Sequence, residues 1–401
     1  MKKLIVLLVM LAAMNANAQW VEGSGTISQS TVSMAAIGIN IFAGMGYGQG
    51  VFISTNNGIS WVQTSLNNIT VNAVAVLGNN VFAGTYNSGV LISTNNGTNW
   101  TPTSLNNITI YALAVNENTI YAGTDIGSIY YSSNNGINWN IISITSQPIY
   151  SIGLSGSYIF AGTTGNGIFV SSNNGINWTQ TFLTNKSVHS ILVSGSNVYA
   201  GLWGSGGVYL STNNGSSWTQ TSLNNRSVWS IVASGNNIFA GMDAYPLNDT
   251  SGVYMSTNNG VTWIQKNQGF NGNMSIQSLL IANNYMLAGT FGQSIWRRPL
   301  SELVGIQNIS SETPSKFSLS QNYPNPFNPT TKIKFAMPKS GNAKIVVYDV
   351  MGREVQTLVN ERLQAGTYEA TFDGSTLNSG VYFYKLIVNG QSETKKMLLL
   401  K

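Results

Sequence analysis

The sequence contains no cysteine and a single histidine, and charged side chains make up only 8% of its 401 residues. Without cysteine, the chain cannot form disulfides, iron–sulfur clusters, thiolate zinc sites or a cysteine nucleophile. One histidine also excludes any site that needs two imidazoles, such as the HExxH zinc motif. We therefore expect neither a metal centre nor a cofactor.

The net charge of +5 is distributed unevenly along the chain. Residues 19–305 contain five basic and six acidic groups, whereas residues 306–401 contain eleven basic and seven acidic groups. The longer segment has no basic stripe that could bind a phosphate backbone and release its counterions. Nucleic acid is therefore not an expected partner.

The first eighteen residues have the organisation of a secretory signal peptide. Two lysines precede an apolar run from Leu4 to Met14, and an A-x-A sequence ends at Ala18. This run has 11 residues, whereas a membrane-spanning helix needs about 20. We expect cleavage between Ala18 and Gln19, export, and a mature chain without a transmembrane segment.

A unit of about 39 residues occurs seven times in residues 19–300, and periods of this size are typical of propellers and solenoids. Each unit has four short alternating runs separated by Asn, Gly and Ser, which predicts a four-stranded antiparallel blade. The last unit has only three runs, and the segment around Trp20 resembles the missing fourth. The sequence therefore predicts an all-β, seven-bladed β-propeller that residues 19–26 close into a ring, rather than an open solenoid.

Six of the units contain the box S-x-N-x-G-x-x-W. The boxes end at Trp61, Trp100, Trp139, Trp178, Trp218 and Trp263. The box resembles the Asp-box of sialidases and related propellers, with an asparagine in the aspartate position. These asparagines are Asn56, Asn95, Asn134, Asn173, Asn213 and Asn258. We expect a structural role, because Asn-Gly favours a tight turn and Trp buries a large apolar face between blades.

Residues 317–401 resemble the C-terminal sorting domain of proteins exported by type IX secretion. The resemblance includes the residues Tyr323, Pro324, Asn325, Pro326, Phe327, Asn328, Pro329, Lys395 and Lys396. It implies export through the periplasm and outer membrane by the type IX machinery, followed by attachment to the cell surface or release. The segment independently predicts about seven short strands in an immunoglobulin-like sandwich, preceded by a linker at 301–316. A carbohydrate- or matrix-binding module is the alternative for this sandwich.

Two positions vary between the repeats while the scaffold positions hardly change. The first, near the start of the inner strand, is occupied by Ser33, Asn72, Tyr111, Tyr150, His189, Trp229 and Gln277. The second, in the loop after the second strand, is occupied by Tyr47, Tyr86, Asp125, Thr164, Trp203, Asp243 and Phe291. Both positions are expected at one face, around the axial channel. The insertion Asp243–Ser251, with Tyr245, lengthens one loop there.

Aromatic and hydrogen-bonding side chains on a rigid concave face are suited to stacking on sugars or holding a peptide. We therefore predict a monomeric binding protein for polysaccharide or a surface protein, through Tyr86, Tyr111, Asp125, Tyr150, His189, Trp203, Trp229, Asp243, Tyr245, Gln277 and Phe291. Neutral variation at these positions is the alternative explanation.

A glycan hydrolase of sialidase-like fold is the main alternative function. The resemblance implies three converging arginines, but the propeller has only Arg226, Arg297 and Arg298. The last two are neighbours on one strand and must face opposite sides. Asp243 and Asp249 share a loop and are the best candidate acid pair. We expect no catalysis, and a structural adhesin is the third alternative.

Overall fold

The structure is a computed structural model. It describes residues 19–25, 30–244, 251–304, 306–310, 312–363, 365–374 and 377–401. The predicted signal peptide with Ala18, and the loop residues Tyr245 and Asp249, lie outside the described residues.

Seven four-stranded antiparallel sheets follow one another in residues 21–299. The first strand is β1 (Val21–Glu22). Blade 1 contains β2 (Thr31–Ile37), β3 (Asn40–Met45), β4 (Gly50–Ser54) and β5 (Val62–Gln63). Blade 2 contains β6 (Val71–Leu77), β7 (Asn80–Thr85), β8 (Val90–Ser93) and β9 (Thr101–Pro102). Blade 3 contains β10 (Ile110–Asn116), β11 (Thr119–Thr124), β12 (Ser128–Ser132) and β13 (Asn140–Ser143).

The remaining blades repeat this order. Blade 4 contains β14 (Ile149–Ser155), β15 (Tyr158–Thr163), β16 (Ile168–Ser171) and β17 (Thr179–Gln180). Blade 5 contains β18 (Val188–Ser194), β19 (Asn197–Leu202), β20 (Gly207–Ser211) and β21 (Thr219–Gln220). Blade 6 contains β22 (Val228–Ser234), β23 (Asn237–Met242), β24 (Gly252–Ser256) and β25 (Ile264–Gln265). Blade 7 contains β26 (Ile276–Ala282), β27 (Tyr285–Thr290), β28 (Ile295–Pro299) and, from the other end of the propeller, β1.

The N-terminal strand closes the ring. β1 pairs antiparallel with β28, with Val21 opposite Arg297, so blade 7 has the strand order β1-β28-β27-β26. Trp20 is 1% exposed, donates its indole N–H to the Lys266 carbonyl at 2.6 Å and stacks on Phe270. The inner strands β2 and β26 also contact each other. The predicted propeller with an N-terminal closing strand is therefore confirmed.

The S-x-N-x-G-x-x-W box forms the turn before the outermost strand. In blade 2, Gly97 N–H donates to the Ser93 hydroxyl, and Ser93 donates in turn to the Asn95 side-chain oxygen. Asn96 and Gly97 have φ angles of 54° and 80°, in the left-handed region that Asn and Gly tolerate. Two consecutive residues with positive φ explain why the box ends its turn with Asn-Gly.

The box tryptophans pack between blades. Trp139 of blade 3 belongs to a cluster with Phe82 of blade 2, and Trp218 of blade 5 to one with Phe160 of blade 4. Trp61 is 3% exposed and packs against Leu287 of blade 7, across the ring closure. Each tryptophan therefore covers the face of the preceding blade, as the sequence predicts.

Residues 300–401 form a short helix and two further sheets. They contain α1 (Leu300–Val304), β29 (Ile306–Ser310), β30 (Ser318–Leu319), β31 (Thr330–Met337), β32 (Gly341–Tyr348), β33 (Glu354–Leu363), β34 (Gly366–Asp373), β35 (Gly380–Val388) and β36 (Gln391–Leu399). The sheet orders are β29-β34-β31-β30 and β33-β32-β35-β36, and the two sheets enclose one apolar core. The immunoglobulin-like assignment stays a prediction.

The segment 301–316, expected to be a linker, contains secondary structure. α1 ends within it, and β29 pairs antiparallel with β34 of the sandwich. Residues 306–310 therefore pair with the sandwich, and the linker assignment of 301–316 stays a prediction. The strand is short, because only four of its five residues pair with β34, and it lacks the alternation that marks longer strands.

Removal of residues 19–25 should strongly destabilise the propeller, because β28 would lose its partner and Trp20 its buried position. We expect a melting temperature at least about 10 °C lower, measured by calorimetry, or aggregation. The control is Val21→Ala, which keeps the strand and changes a side chain that is 47% exposed. A synthetic peptide of residues 19–25 should restore part of the loss. An unchanged melting temperature would contradict the closing role of β1.

Candidate functional site

Every inner strand has a β-bulge at its second residue. In β10, for example, the register with β11 shifts between Ile110 and Ala112, which leaves Tyr111 unpaired. The seven bulged residues are Val32, Asn72, Tyr111, Tyr150, His189, Trp229 and Gln277. These same residues line a cavity of about 170 Å³ at the axis, which we call the pit. The bulge re-aims one side chain from each blade into the pit.

The pit corrects one sequence assignment. Blade 1 contributes Val32, because its inner strand begins at Thr31 and its bulge is at Val32. Ser33 lies one residue further along, where its hydroxyl accepts a hydrogen bond from the Val74 N–H at 3.0 Å. Ser33 therefore holds blade 2 against blade 1 and does not line the pit.

The variable loop residues lie at the same end of the blades as the bulges. In each blade, the N–H of the residue after the second strand donates to the carbonyl of the residue before the inner strand. The donors are Gly46, Tyr86, Asp125, Thr164, Trp203, Asp243 and Phe291. Tyr47 is thus one residue beyond the equivalent position in blade 1. The structure brings both variable positions together, and we call the bulged and loop residues jointly the channel face.

Four neighbouring blades contribute a continuous row of rings to the pit. Tyr111 and Tyr150 stack with their centroids 4.4 Å apart at 13°, and Tyr150 lies 4.8 Å from His189. His189 meets Trp229 edge to face at 4.6 Å, and Trp203 lies 6.3 Å from the His189 ring. We call Tyr111, Tyr150, His189 and Trp229 the aromatic arc. Val32, Asn72 and Gln277 line the opposite side of the pit.

Large exposed aromatic side chains surround the arc. Trp203 is 53% exposed, Tyr86 55% and Phe291 50%. Phe291 also makes an edge contact with Tyr47, with centroids 6.2 Å apart. Exposed rings of this size add nothing to the core, and grouped together they are typical of an interaction site.

The arc contains no positive charge at neutral pH. Burial lowers the pKa of His189 to about 4, so the imidazole is neutral. Burial also raises the pKa of Tyr111 to about 12, with smaller contributions from Tyr150, Asp125 and Tyr86. Both shifts have the sign expected when the charged form loses its water. Asp125 is the one carboxylate among these contributions to the pKa of Tyr111.

Three polar atoms at the channel face are buried without a hydrogen-bond partner in the part of the chain that the structure describes. They are Asp125 Oδ1, Thr164 Oγ1 and Trp229 Nε1. In contrast, Asp243 Oδ1 accepts a 2.7 Å hydrogen bond from Ser275, and Gln277 accepts one from Ser30. Buried polar groups are normally paired, and an unpaired group is costly.

No arginine is among the described residues that line the pit. Arg298 is 3% exposed and bonds to Glu302 and Gln268 beside blade 7. Arg297 stacks over the Tyr285 ring at 4.9 Å and approaches the Asn57 carbonyl. Within the described residues, no group of three or more His, Cys, Asp or Glu could hold a metal ion.

The sorting motif ties the proline-rich segment to the last strand. Phe327 is 2% exposed, contacts Phe372, and exchanges backbone hydrogen bonds of 2.9 Å with Leu398 and Leu400. The Asn325 side-chain oxygen accepts from the Leu398 N–H at 2.9 Å. Tyr323, in contrast, is 81% exposed. Lys395 forms an ion pair with Glu393. The motif therefore combines buried residues, which hold the segment against the last strand, with the exposed side chain of Tyr323.

Comparison with known proteins assigns the C-terminal domain. Residues 321–400 match the family model described as the secretion system C-terminal sorting domain. The chain is exported by type IX secretion. It is consequently displayed on the cell surface or released. No curated protein matches the chain. Within the described residues, no helix is long and apolar enough to cross a membrane.

Solved structures with the same fold cover the propeller. The WD40 β-propeller domain of Doa1 aligns with a TM-score of 0.56 at 11% identity, over 70% of this chain and 97% of that chain. YCF48 from Cyanidioschyzon merolae aligns with a TM-score of 0.57 at 14% identity, over 70% and 98%. YCF48 bound to D1 peptide aligns with a TM-score of 0.56 at 14% identity, over 71% and 96%. These likenesses establish the fold alone.

Buried His189 should make the stability of the propeller depend on pH. Because its folded pKa of about 4 lies below the ordinary 6.5, the unfolded chain binds the proton more strongly. Stability is thus complete above pH 6.5 and declines toward pH 4, by about 2–3 kcal/mol from this group. Urea unfolding at pH 4 to 7 should give a smaller decline for His189→Gln than for the parent. Equal slopes would contradict the burial of a neutral imidazole.

Removal of residues 317–401 should stop transport at the outer membrane. In a host with the type IX machinery, we expect the truncated protein in the periplasm and the full chain outside, by cell fractionation. Display of the truncated protein on the surface would contradict the sorting role of the domain.

Proposed function

We propose that the propeller is an exported binding module whose channel face holds a carbohydrate or a polypeptide without changing it chemically. The aromatic arc carries this proposal. Four rings from consecutive blades, with exposed Trp203 beside them, offer apolar faces for stacking. The polar side chains of Asn72 and Gln277 line the opposite side of the same pit. Rigid rings beside a few directed polar groups are the usual composition of a ligand site.

The side chains at this face do not favour glycoside hydrolysis. Glycoside hydrolysis uses two carboxyl groups on opposite sides of one bond. Asp125 and Asp243 belong to blades 3 and 6, and Asp243 is engaged by Ser275. Two of the three arginines that could bind a substrate carboxylate, Arg297 and Arg298, are engaged beside blade 7. We therefore propose binding rather than turnover.

Both ligand classes belong in the first screen. YCF48, which shares the propeller fold, has been solved with a D1 peptide, so peptides are included with glycans as probes. The sorting domain implies a second partner, the type IX secretion machinery, and it delivers the channel face to the outside of the cell. Polysaccharides and surface proteins are the molecules available there.

Removal of an aromatic side chain from the channel face should abolish most binding. Trp203→Ala and Trp229→Ala should each weaken a ligand found by glycan and peptide arrays at least about tenfold, measured by calorimetry. Trp203→Ala should hardly change the melting temperature, because the ring is half exposed. Trp229→Ala should cost slightly more through its contact with His189.

Two controls separate this effect from folding. Phe182→Ala removes a ring that is 88% exposed after the outermost strand of blade 4, and should leave affinity unchanged. Trp139→Ala should instead lower stability, by up to about 3 kcal/mol, because this ring packs between blades. If both channel-face variants bind the ligand like the parent, the proposed site is wrong.

A further inference from the structure

The pit has no charged side chain among the described residues that line it. These residues are Val32, Asn72, Tyr111, Tyr150, His189, Trp229 and Gln277. Burial lowers the pKa of His189 to about 4, so its imidazole is neutral at pH 7. A charged ligand group would lose its water in the pit and find no opposite charge, which is costly. The lining therefore favours an uncharged occupant.

Two amide side chains in the pit have one polar atom each that no described residue engages. Asn72 donates from its Nδ2 to the Ile110 carbonyl at 3.0 Å, which leaves its Oδ1 as an acceptor. Gln277 accepts from the Ser30 hydroxyl through its Oε1, which leaves its Nε2 as a donor. Neither remaining atom is among the fully buried polar atoms without a partner in the described parts of the chain, so both can be reached from the pit.

The ring of His189 provides a further donor and a further acceptor. It contacts the rings of Tyr150 and Trp229, but neither of its nitrogens forms a hydrogen bond within the described residues. A neutral imidazole has one N–H donor and one acceptor nitrogen. Like the two amide atoms, these nitrogens are not among the fully buried unpaired atoms. The pit thus offers both donors and acceptors, and none of them is charged.

These polar groups approach the pit from three directions. Asn72 belongs to blade 2, His189 to blade 5 and Gln277 to blade 7, with at least one blade between any two of them. A peptide side chain carries its polar atoms at one tip and could meet only one or two of these groups. A sugar ring has hydroxyl groups around its perimeter, and each hydroxyl both donates and accepts. The arrangement therefore favours a sugar ring over a peptide side chain.

The size and the apolar part of the lining agree with a single ring. Pockets for drug-sized ligands have about 300–1,000 Å³, whereas the pit has about 170 Å³. Between the polar groups, Val32 and the rings of the aromatic arc line the pit, and such side chains pack against the C–H groups of a sugar. An occupant without hydroxyl groups would leave the polar atoms unpaired.

Resting on the proposed function, we propose that the pit binds one uncharged sugar ring of a polysaccharide, whose hydroxyl groups bond to Asn72, His189 and Gln277. Three exposed rings at the same end of the blades flank the neighbouring sugar units, namely Tyr86, Trp203 and Phe291. Sugars with a carboxylate are poor ligands, because no described residue that lines the pit is cationic.

The experiment compares neutral trisaccharides with acidic partners of the same linkage. The probes are the β-1,4-glucose, β-1,4-mannose and α-1,4-galactose trisaccharides, each with its counterpart in which every C6 is oxidised to a carboxylate. They are titrated calorimetrically into the mature full-length chain at pH 7. We expect at least one neutral trisaccharide to bind, at least about tenfold more tightly than its acidic counterpart. Absence of binding by all three neutral probes at millimolar concentration, or an acidic form that binds as tightly as its neutral partner, would overturn the proposal.

Two substitutions remove polar atoms of the pit without emptying it. Gln277→Met keeps an unbranched side chain of similar length, and His189→Phe keeps a ring between Tyr150 and Trp229. Each should weaken binding of the neutral trisaccharide by about fivefold or more, because a hydrogen-bonding partner is lost. The matched control is Gln180→Met, which removes a side-chain hydrogen bond from the outermost strand of blade 4 and should leave the affinity unchanged. Melting temperatures verify that the variants are folded, and parental affinity in both pit variants would overturn the proposal.

Peptides distinguish a failure of this inference from a failure of the proposed function. The probes acetyl-Gly-Gly-Xaa-Gly-Gly-amide, with Asn, Gln or Tyr at the central position, carry the neutral polar side chains that compete with a sugar for the pit. Binding of one of them without any neutral trisaccharide would overturn the sugar assignment and leave the proposed function intact. Absence of binding by sugars and peptides alike would also overturn the assignment, while the arrays and the Trp203 and Trp229 variants would still test the channel face. Binding of a neutral trisaccharide alone supports the assignment.

Discussion

The propeller depends on the close approach of the second strand of each blade to the inner strand of the next blade. Each second strand carries an Ala-Gly pair against the next blade, and the glycine has no room for a side chain. A Cβ on Gly84 would lie 2.6 Å from Cγ2 of Ile110, and one on Gly44 would lie 2.8 Å from Val71. Seven such contacts around a ring leave no free sheet edge only if the last blade is complete. β1 supplies the missing strand, so the closure of the ring depends on the pairing of Val21 and Glu22 with β28.

The same close packing produces the pit. Straight inner strands would turn their side chains alternately toward the two neighbouring blades. The bulge at the second residue of each strand breaks this alternation and turns one side chain per blade toward the axis. This position varies from valine to tryptophan, although some of its residues also bond to the scaffold: Asn72 donates to the Ile110 carbonyl of the next blade, and Gln277 accepts from Ser30. Close packing between blades thus fixes the Ala-Gly pairs, whereas the bulge allows the pit residue to vary.

Much of this arrangement is predictable from the sequence. Three features predict the propeller and its closure: the period, the Asn-Gly turns and the displaced Trp20 segment. Each of them corresponds to a local rule of turns or strand pairing. The bulge is not predictable from periodicity, and so Ser33 was expected where Val32 lies. The pairing of β29 with β34 was also missed, since a partner some sixty residues away leaves no local pattern.

The propeller and the C-terminal domain keep their surfaces polar in different ways. Residues 19–305 carry eleven charged groups, whereas residues 306–401 carry eighteen. The blades place Asn and Ser in the turns that join their strands, as the hydrogen bonds of Ser93 and Asn95 in blade 2 show. The residues that build the turns of the propeller therefore also supply much of its polar surface, so the ring needs few charged side chains.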